Sequence, residues 1–596
     1  MPPSEPRTAT TGQAITRIRQ ASSLGAAFRD RLGADPGATA CLEPEGRDFR
    51  PMSTQAFADD VDRVARALLA FGVDRGDRLG LMGPNGPWWA SIDLAALSLG
   101  AVVVPLYQGQ QRSELRYILE DAAPALVCVQ GTKAATEMTA AFREAPYAPP
   151  VAVAEAGDVR LEPPLQSWEH FLAGAPHIGS EAVAHAGSEV GRANLATLVY
   201  TSGTTGWPKG VELTHGNLLA NLEGILEVLA IRTGDRFLSF LPLAHIFERT
   251  AGHLLPYLTG CEVAYARGPQ AVPTDLLRTR PTILVAVPRL YQMFHDRAQT
   301  QRTRSRTTDR LLQWATGDGG KVPPVRSRIA RWLLGRRFRQ RLGGRIRLLV
   351  SGGAALAPEV ARFFRDVGLP ILEGYGQTET APVVACNRMG AVRIGTVGPP
   401  LPNVEVQLAS DGEIQVRGPN VMRGYWNREE ENATVFEGDW LRTGDVGEWD
   451  GAGYLQITDR LKEILVTSGG KNIPPQRLEL RLTAQPLIQQ AVIFGDRQPY
   501  LGALIVPDWE DLWRHLGHSP DRPANPTDTE AQRLVRETVN QALADLPAWE
   551  QVRRFNLLAE PLGQEEGELT PTLKVKRRVV AQRYADEIEA LFAEER

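Results

Sequence analysis

Between about residue 50 and residue 460, short apolar runs alternate with amphipathic stretches, and glycine-rich turns separate them. "FADDVDRVARALLAFG" has helical spacing, "DRLGLMG" reads as a strand, "PWWASIDLAALSLG" as a helix and "AVVVPLY" as a strand. The rhythm returns in "TILVAVP", "IRLLVSGGA" and "PILEGYG". Apolar strands alternating with helices predict sheets covered on both faces, an α/β fold. From 403 to 459 the pattern changes: "VEVQLASDGEIQVRG" and "GEWDGAGYLQIT" carry Asp-Gly turn signals and predict small antiparallel hairpins. After "DRLKE" the chain reads as a small α+β unit ending in the charged helix "VVAQRYADEIEALFAEER". The expectation is a large N-terminal domain, 1–459, of layered α/β sheets with a β-hairpin or barrel subdomain at 403–459. A smaller α+β domain follows at 460–596. Residues 140–190 and 516–530, rich in Pro, Ala and Gly, read as loops.

At 596 residues the chain is long enough for several folding units. Its net charge of −4 does not suggest nucleic acid as a partner. Cys41, Cys128, Cys261 and Cys386 are far apart, which argues against a zinc site or a disulfide framework. "MPPSEPRTATTGQA" lacks the apolar core of a signal peptide, and "LAALSLGAVVVPLYQGQQ" is broken by Pro105, so it reads as helix–turn–strand and not as a membrane span. A cytoplasmic enzyme is the expectation. The basic residues are overwhelmingly Arg. The lysines are Lys133, Lys209, Lys321, Lys462, Lys471, Lys574 and Lys576, and the last four together with Lys209 fall in motifs.

"YTSGTTGWPKG" (200–210) is rich in glycine and hydroxyls, yet Pro208 precedes Lys209 where a Walker loop has Gly. "LATLVY" before it and "GVEL" after it read as strands, and Thr214 is placed to cap the helix that follows. The loop therefore joins two strands. Gly203 and Gly206 permit tight turns with exposed amides, Thr201, Ser202, Thr204 and Thr205 add hydroxyls, and Lys209 adds charge. Such a loop can close over β- and γ-phosphates and leave an α-phosphate open to attack. The bland alternative is an ordinary hairpin turn.

The stretch resembles the signature of the adenylate-forming superfamily of acyl-CoA synthetases, luciferases and peptide-synthetase adenylation domains. Further motifs follow in the order the resemblance implies: "LPLAHIFERT" (241–250), most like long-chain fatty acyl-CoA synthetases, "SGGAAL" (351–356), "EGYGQTET" (373–380), "RTGDVGE" (442–448), "DRLKEILVTSGGKNIPP" (459–475) and "LTPTLKVKR" (569–577).

The resemblance implies a reaction in which a carboxylate attacks the α-phosphorus of ATP, pyrophosphate leaves, and CoA then takes the acyl group. Glu379 is implied as the Mg²⁺ ligand, with Thr204, since Mg²⁺ favours one or two carboxylates plus phosphate oxygens. Thr378 is placed to donate to the α-phosphate and Tyr375 to stack on adenine; Gly374, Gly376 and Gln377 share that motif. Gly352, Gly353 and Ala354 match the family's turn along the adenine and acyl groove. Asp445 and Arg460 would read the ribose from two sides. Lys574 matches the catalytic lysine that would bridge carboxylate and α-phosphate, although Leu573 stands where the family often has Gly and Lys576 offers a register two residues on. Lys462 falls at the hinge about which the mobile C-terminal domain turns, and Gly469, Gly470 and Lys471 mark the CoA route. His245 reads as a gate, a carboxylate contact or a core histidine.

A long-chain fatty acid–CoA ligase is the expectation. The alternatives are a fatty acyl-AMP ligase serving a separate carrier protein, a ligase for another hydrophobic acid, and a nucleotide-binding protein without catalysis. Arginines crowd residues 297–347, and within "SRIARWLLGRRFRQRLG" Ile329, Trp332, Leu333 and Leu342 fall roughly on one helical face. That face either lies on an anionic membrane surface at its periphery or packs on the α/β core.

Overall fold

A computed structural model describes residues 9–32, 35–142, 148–201, 207–304, 313–314, 324–461, 463–468, 471–564, 566–570 and 575–593. Two eight-stranded sheets carry the large N-terminal part. In the first, the strands Leu195–Thr201, Val102–Pro105, Arg78–Met82, Leu126–Gln130, Val151–Ala154 and Leu165–Ser167 run parallel, and Lys209–Thr214 and Gly424–Tyr425 close one edge antiparallel. In the second, the parallel centre is Thr39–Glu45, Glu262–Tyr265, Arg236–Ser239, Ile283–Ala286, Leu348–Ser351 and Ile371–Gly376.

The local signals behave as their chemistry demands. Pro87–Leu99 is a helix buried nearly all round, and Gly100 ends it at φ 76°, a left-handed conformation that favours glycine. Thr214 caps His215–Val228 in a reciprocal capping box with Asn217. Residues 140–190 are not the loop expected: "VAVA" forms the strand Val151–Ala154, Leu165–Ser167 pairs with it, and Ser180–Ser188 is a helix. A four-residue apolar run is too short to announce itself by periodicity, and the edge of a parallel sheet supplies its partner.

Beyond the sheets, Glu405–Leu408, Glu413–Arg417, Trp440–Trp449, Phe436–Glu437 and Leu455–Arg460 form a five-stranded antiparallel sheet, as the Asp-Gly turns predicted. The C-terminal part has a three-stranded sheet, Ile488–Phe494, Leu501–Pro507 and Val552–Leu557, flanked by Pro475–Thr483, Thr529–Ala542 and Ala585–Phe592. The expected final helix is two helices, Arg577–Arg583 and Ala585–Phe592, parted at Tyr584. Among the described residues, the buried apolar clusters divide near residue 460: three draw on residues before it and two on residues after it.

The arginine-rich helix Pro324–Arg341 packs on the core, but of the stripe expected only Leu342, just past its end, is fully buried. Ala330, Leu334, Phe338 and Leu342 are buried against Phe363 and Phe364, whereas Ile329 and Trp332 point outward, Trp332 being 60% exposed. The i, i+4 row of smaller and aromatic residues fits the groove beside Pro358–Asp366, and the Trp is left over. Among the described residues no helix is long and apolar enough to cross a membrane.

Candidate active site

The carboxyl ends of the central strands of the second sheet open on a cleft of about 3220 Å³ that reaches the five-stranded sheet and the C-terminal part. Tyr375, Gln377, Thr378 and Glu379, Gly353 and Ala354, Asp445 and Arg460, and His245, Thr201 and Lys209 all line it. Motifs separated by up to 259 positions, from Thr201 to Arg460, therefore converge on one surface.

Asp445 and Arg460 are cross-strand partners in the five-stranded sheet. The Arg460 Nε donates to Asp445 Oδ1 at 3.0 Å, and the Tyr375 hydroxyl donates to Asp445 Oδ2 at 2.7 Å. Each carboxylate oxygen thus has one donor and retains a lone pair for a vicinal diol. The same contact fixes the Tyr375 ring in the cleft. Gln377 Nε2 reaches the Thr443 carbonyl at 3.4 Å, tying the loop to this sheet.

Gly376 lines the cleft and is also required by packing. A Cβ there would stand 1.8 Å from the Pro382 carbonyl oxygen, so the turn closes tightly on its own backbone. Gly352 also faces the cleft: a Cβ would meet the Phe247 ring at 2.8 Å. Gly353 adopts φ 83°.

Glu379 is held by a residue that motif reading missed. The Tyr425 hydroxyl donates to Glu379 Oε1 at 2.8 Å, and Lys209 Nζ lies 5.0 Å over the Tyr425 ring. Lys209 also meets Glu431 at 3.6 Å. Tyr425 reaches the site because Gly424–Tyr425 adds an edge strand to Lys209–Thr214. Only the aromatic in "RGYWN" could have signalled it. Among the described residues no three His, Cys, Asp or Glu side chains cluster to hold a metal. A single carboxylate with Tyr425 and Lys209 nearby suits Mg²⁺, which keeps waters and takes phosphate oxygens.

His245 caps the short helix Ile246–Glu248, its Nδ1 accepting from Phe247 N at 3.2 Å, and it lines the cleft. The motif is fixed from beneath. Arg249 is fully buried, pairs with buried Asp93 and donates to Thr197 Oγ1 at 2.7 Å, which ties it to the first sheet. Burial pushes the Glu248 carboxyl up to about 8, and burial does the same to Glu373, which lines the cleft beside Gly374. Neither was predicted, since nothing in a sequence distinguishes a buried carboxyl from a solvated one.

From His245 and Phe247 an apolar arm leaves the cleft. Gly352, Val350 and Leu348 mark one face of a strand, Val285 and Ile283 its neighbour, and Ile225, Val228 and Leu229 the helix opposite. Leu348 to Gly352 spans roughly 13 Å of strand rise.

On the C-terminal side, Lys576 meets Glu114 at 3.4 Å, and a Cβ on Gly567 would stand 2.3 Å from the Gln111 amide nitrogen. The segment on both sides of residue 574 therefore faces the cleft. Lys471 does not line the cleft; its ammonium lies 5.0 Å over the Trp549 ring. Ser202, Gly203, Thr204, Thr205, Gly206, Lys462, Gly469, Gly470 and Lys574 lie outside the described residues.

The family model for the AMP-binding enzyme matches residues 28–426, and that for the AMP-binding enzyme C-terminal domain matches 462–596. A long-chain fatty acid–CoA ligase of Mycobacterium bovis is 35% identical over 570 residues, covering 90% of this chain and 92% of that protein. A peroxisomal long-chain acyl-CoA synthetase of Arabidopsis thaliana is 32% identical, covering 90% of this chain and 81% of that protein. Among solved structures, the adenylation domain of a Mycobacterium chelonae carboxylate reductase superposes with a TM-score of 0.77 at 23% identity, covering 98% of this chain and 95% of that one. At that identity the match bears on the fold alone.

Proposed function

The chain belongs to the AMP-binding enzyme family, and on that premise we propose that it is an ATP-dependent ligase joining long-chain fatty acids to CoA through an acyl-AMP intermediate. The observation that carries the acyl specificity is the apolar arm running from His245 and Phe247 to Leu348, which opens into the same cleft as Asp445 and Glu379. A ligase for a small polar acid has no use for such an arm.

In the first half-reaction the acyl carboxylate attacks the α-phosphorus, the P–O bond to the leaving group breaks, and pyrophosphate departs. Two anions approach each other, so fixed cations and donors carry the catalysis. Thr378 and Lys574 are assigned to the α-phosphate and the carboxylate, Lys209 to the outer phosphates, and Asp445 with Arg460 to the ribose. Glu379, with Thr204, would hold the Mg²⁺ that neutralises phosphate charge. His245 and Phe247 stand where the apolar arm meets the cleft, which suits a gate on the carboxylate. In the second half-reaction the CoA thiol attacks the acyl carbonyl and AMP leaves. We place the pivot between the two arrangements at Lys462, between domains 1–459 and 460–596, and the thiol's route along Gly469 and Gly470. The arrangement in hand, with Lys576 on Glu114, is the one that suits the first half-reaction.

Incubation with palmitate, ATP, Mg²⁺ and CoA tests the proposal. Palmitoyl-CoA and AMP are expected; accumulation of acyl-AMP alone would point to a carrier-protein acceptor, and no product with any alkanoate would refute the assignment. Peripheral membrane contact is also proposed, on the outward Ile329 and Trp332 and the exposed Arg331, Arg336 and Arg337 around them. Each basic residue near an anionic surface contributes about 1 kcal/mol. Sedimentation with anionic vesicles should be salt-sensitive and should exceed that with neutral ones; equal behaviour would remove the idea.

A further inference from the structure

The apolar arm ends against a thin wall with empty space behind it. A second cavity of about 120 Å³ lies beyond the arm, and Val228, Leu229 and Leu348 line both spaces. The outer space is also lined by Ala230, Arg232, Arg347, Leu372 and Met389, so it is partly polar and partly open to solvent. The side chains of Val228, Leu229 and Leu348 therefore stand between the two spaces.

That wall is held in place. Leu229 ends the helix His215–Val228, and the chain then turns away through Ala230. Arg347, immediately before the strand that carries Leu348, donates to the Ala230 carbonyl at 2.7 Å and pairs with buried Asp235, whose Oδ1 takes Arg347 Nε at 2.9 Å. Asp235 also accepts from Thr282 Oγ1 at 2.8 Å. The two residues that close the arm, one on a helix end and one on a strand, are thus tied to each other through a charged clamp. Leu348 is buried and Leu229 half-buried.

We propose that Leu229, backed by Leu348, is the stop that sets the longest acyl chain this enzyme accepts, and that the cavity behind it is an unused extension of the acyl site. The inference rests on the fatty acyl reading above. A chain whose methyl end reaches the wall buries its last methylenes in the arm. A longer one must displace Leu229 or leave methylenes in water, at a cost of about four-fold in binding for each methylene left unburied. Removing the Leu229 side chain joins the two spaces and gives those methylenes somewhere to go.

The experiment measures kcat/KM for acyl-AMP formation by pyrophosphate exchange over saturated acids from octanoate to tetracosanoate. It compares the wild type, Leu229→Ala, Leu229→Phe, and Leu229→Ala with Met389→Trp. Thermal unfolding confirms that each variant is folded. Leu229→Ala should raise the ratio of kcat/KM for acids longer than the wild-type optimum, relative to that optimum, by up to about four-fold per methylene admitted. Leu229→Phe, at a half-buried position with room to accept it, should move the optimum to shorter acids. Met389→Trp, which fills the outer space, should cancel the gain of Leu229→Ala. An unchanged profile in both single variants overturns the stop. A shift that Met389→Trp fails to reverse overturns the extension. A wild type that forms no adenylate with any of the acids instead overturns the fatty acyl reading itself, and the stop falls with it.

Discussion

Glu248 sits in the motif that flanks the acyl arm, 1% exposed, with its carboxyl pushed up by burial to about 8 from an ordinary 4.5. Ser239 and the Phe240 N–H oppose the shift only in part. The sign of the consequence is fixed. Between those two values the unfolded carboxyl is ionised while the folded one keeps its proton, so the folded state binds more protons and stability falls as pH rises from about 4.5 to about 8. The limiting slope is about 1.36 kcal/mol per pH unit. It flattens near the folded pKa, so the loss between about pH 6 and about pH 8 comes to roughly 2.3 kcal/mol. With roughly 2.1 cal/mol/K of unfolding entropy per residue, the whole chain turns that loss into about 2 °C. Glu248→Gln keeps the shape and abolishes the titration. Glu373 and His215, whose shifts are set by burial elsewhere, titrate alike in both proteins and cancel in the comparison. The melting temperature of Glu248→Gln relative to wild type, at one scan rate, should therefore rise by about 2 °C across this pH range. A gap that stays constant with pH, or narrows, would show that Glu248 is ionised in the folded protein and would refute the reasoning.

Lys574→Ala should cut adenylation by about 10²–10³-fold, the loss typical of one charge-stabilising donor, and spare thiolysis of supplied acyl-AMP; equal loss of both steps would remove its assignment. Lys576→Ala breaks only a partly exposed pair with Glu114, worth at most about 1 kcal/mol, so a selective adenylation defect there would move the catalytic register by two. Tyr425→Phe removes the 2.8 Å donor to Glu379. A hydrogen bond to a charged group contributes about 1.5–3 kcal/mol, so adenylation should need more Mg²⁺ and fall about ten-fold or more; an unchanged Mg²⁺ titration would leave Tyr425 a packing residue. Gly470→Leu should block CoA transfer while acyl-AMP still accumulates, and normal acyl-CoA output would refute the thiol route.

What the sequence made legible was whatever repeats locally. Strand and helix periods along "DRLGLMG" and "PWWASIDLAALSLG", the cap at Thr214 and the Asp-Gly hairpins depend on neighbours a few positions apart, and each formed as its chemistry predicts. The contiguous motifs were equally readable, because Tyr375 at the end of a strand and Thr378 and Glu379 in the turn that follows reach the cleft together. The misses share one physical cause, dependence on partners distant in the chain. The Arg249–Asp93 pair joins positions 156 apart, and Tyr425 finds Glu379 through an edge strand that only the folded sheet creates. Glu248 and Glu373 look like surface acids until two layers close over them. The arginine-rich helix shows the same limit: helical spacing pointed to the face of Ile329 and Trp332, and the shape of the groove beside Phe363, not hydrophobicity, chose Ala330 and Leu334 instead. The acyl stop belongs to this class as well. No period in the sequence connects Leu229 to Leu348, and the wall exists because Arg347 binds the carbonyl that follows Leu229.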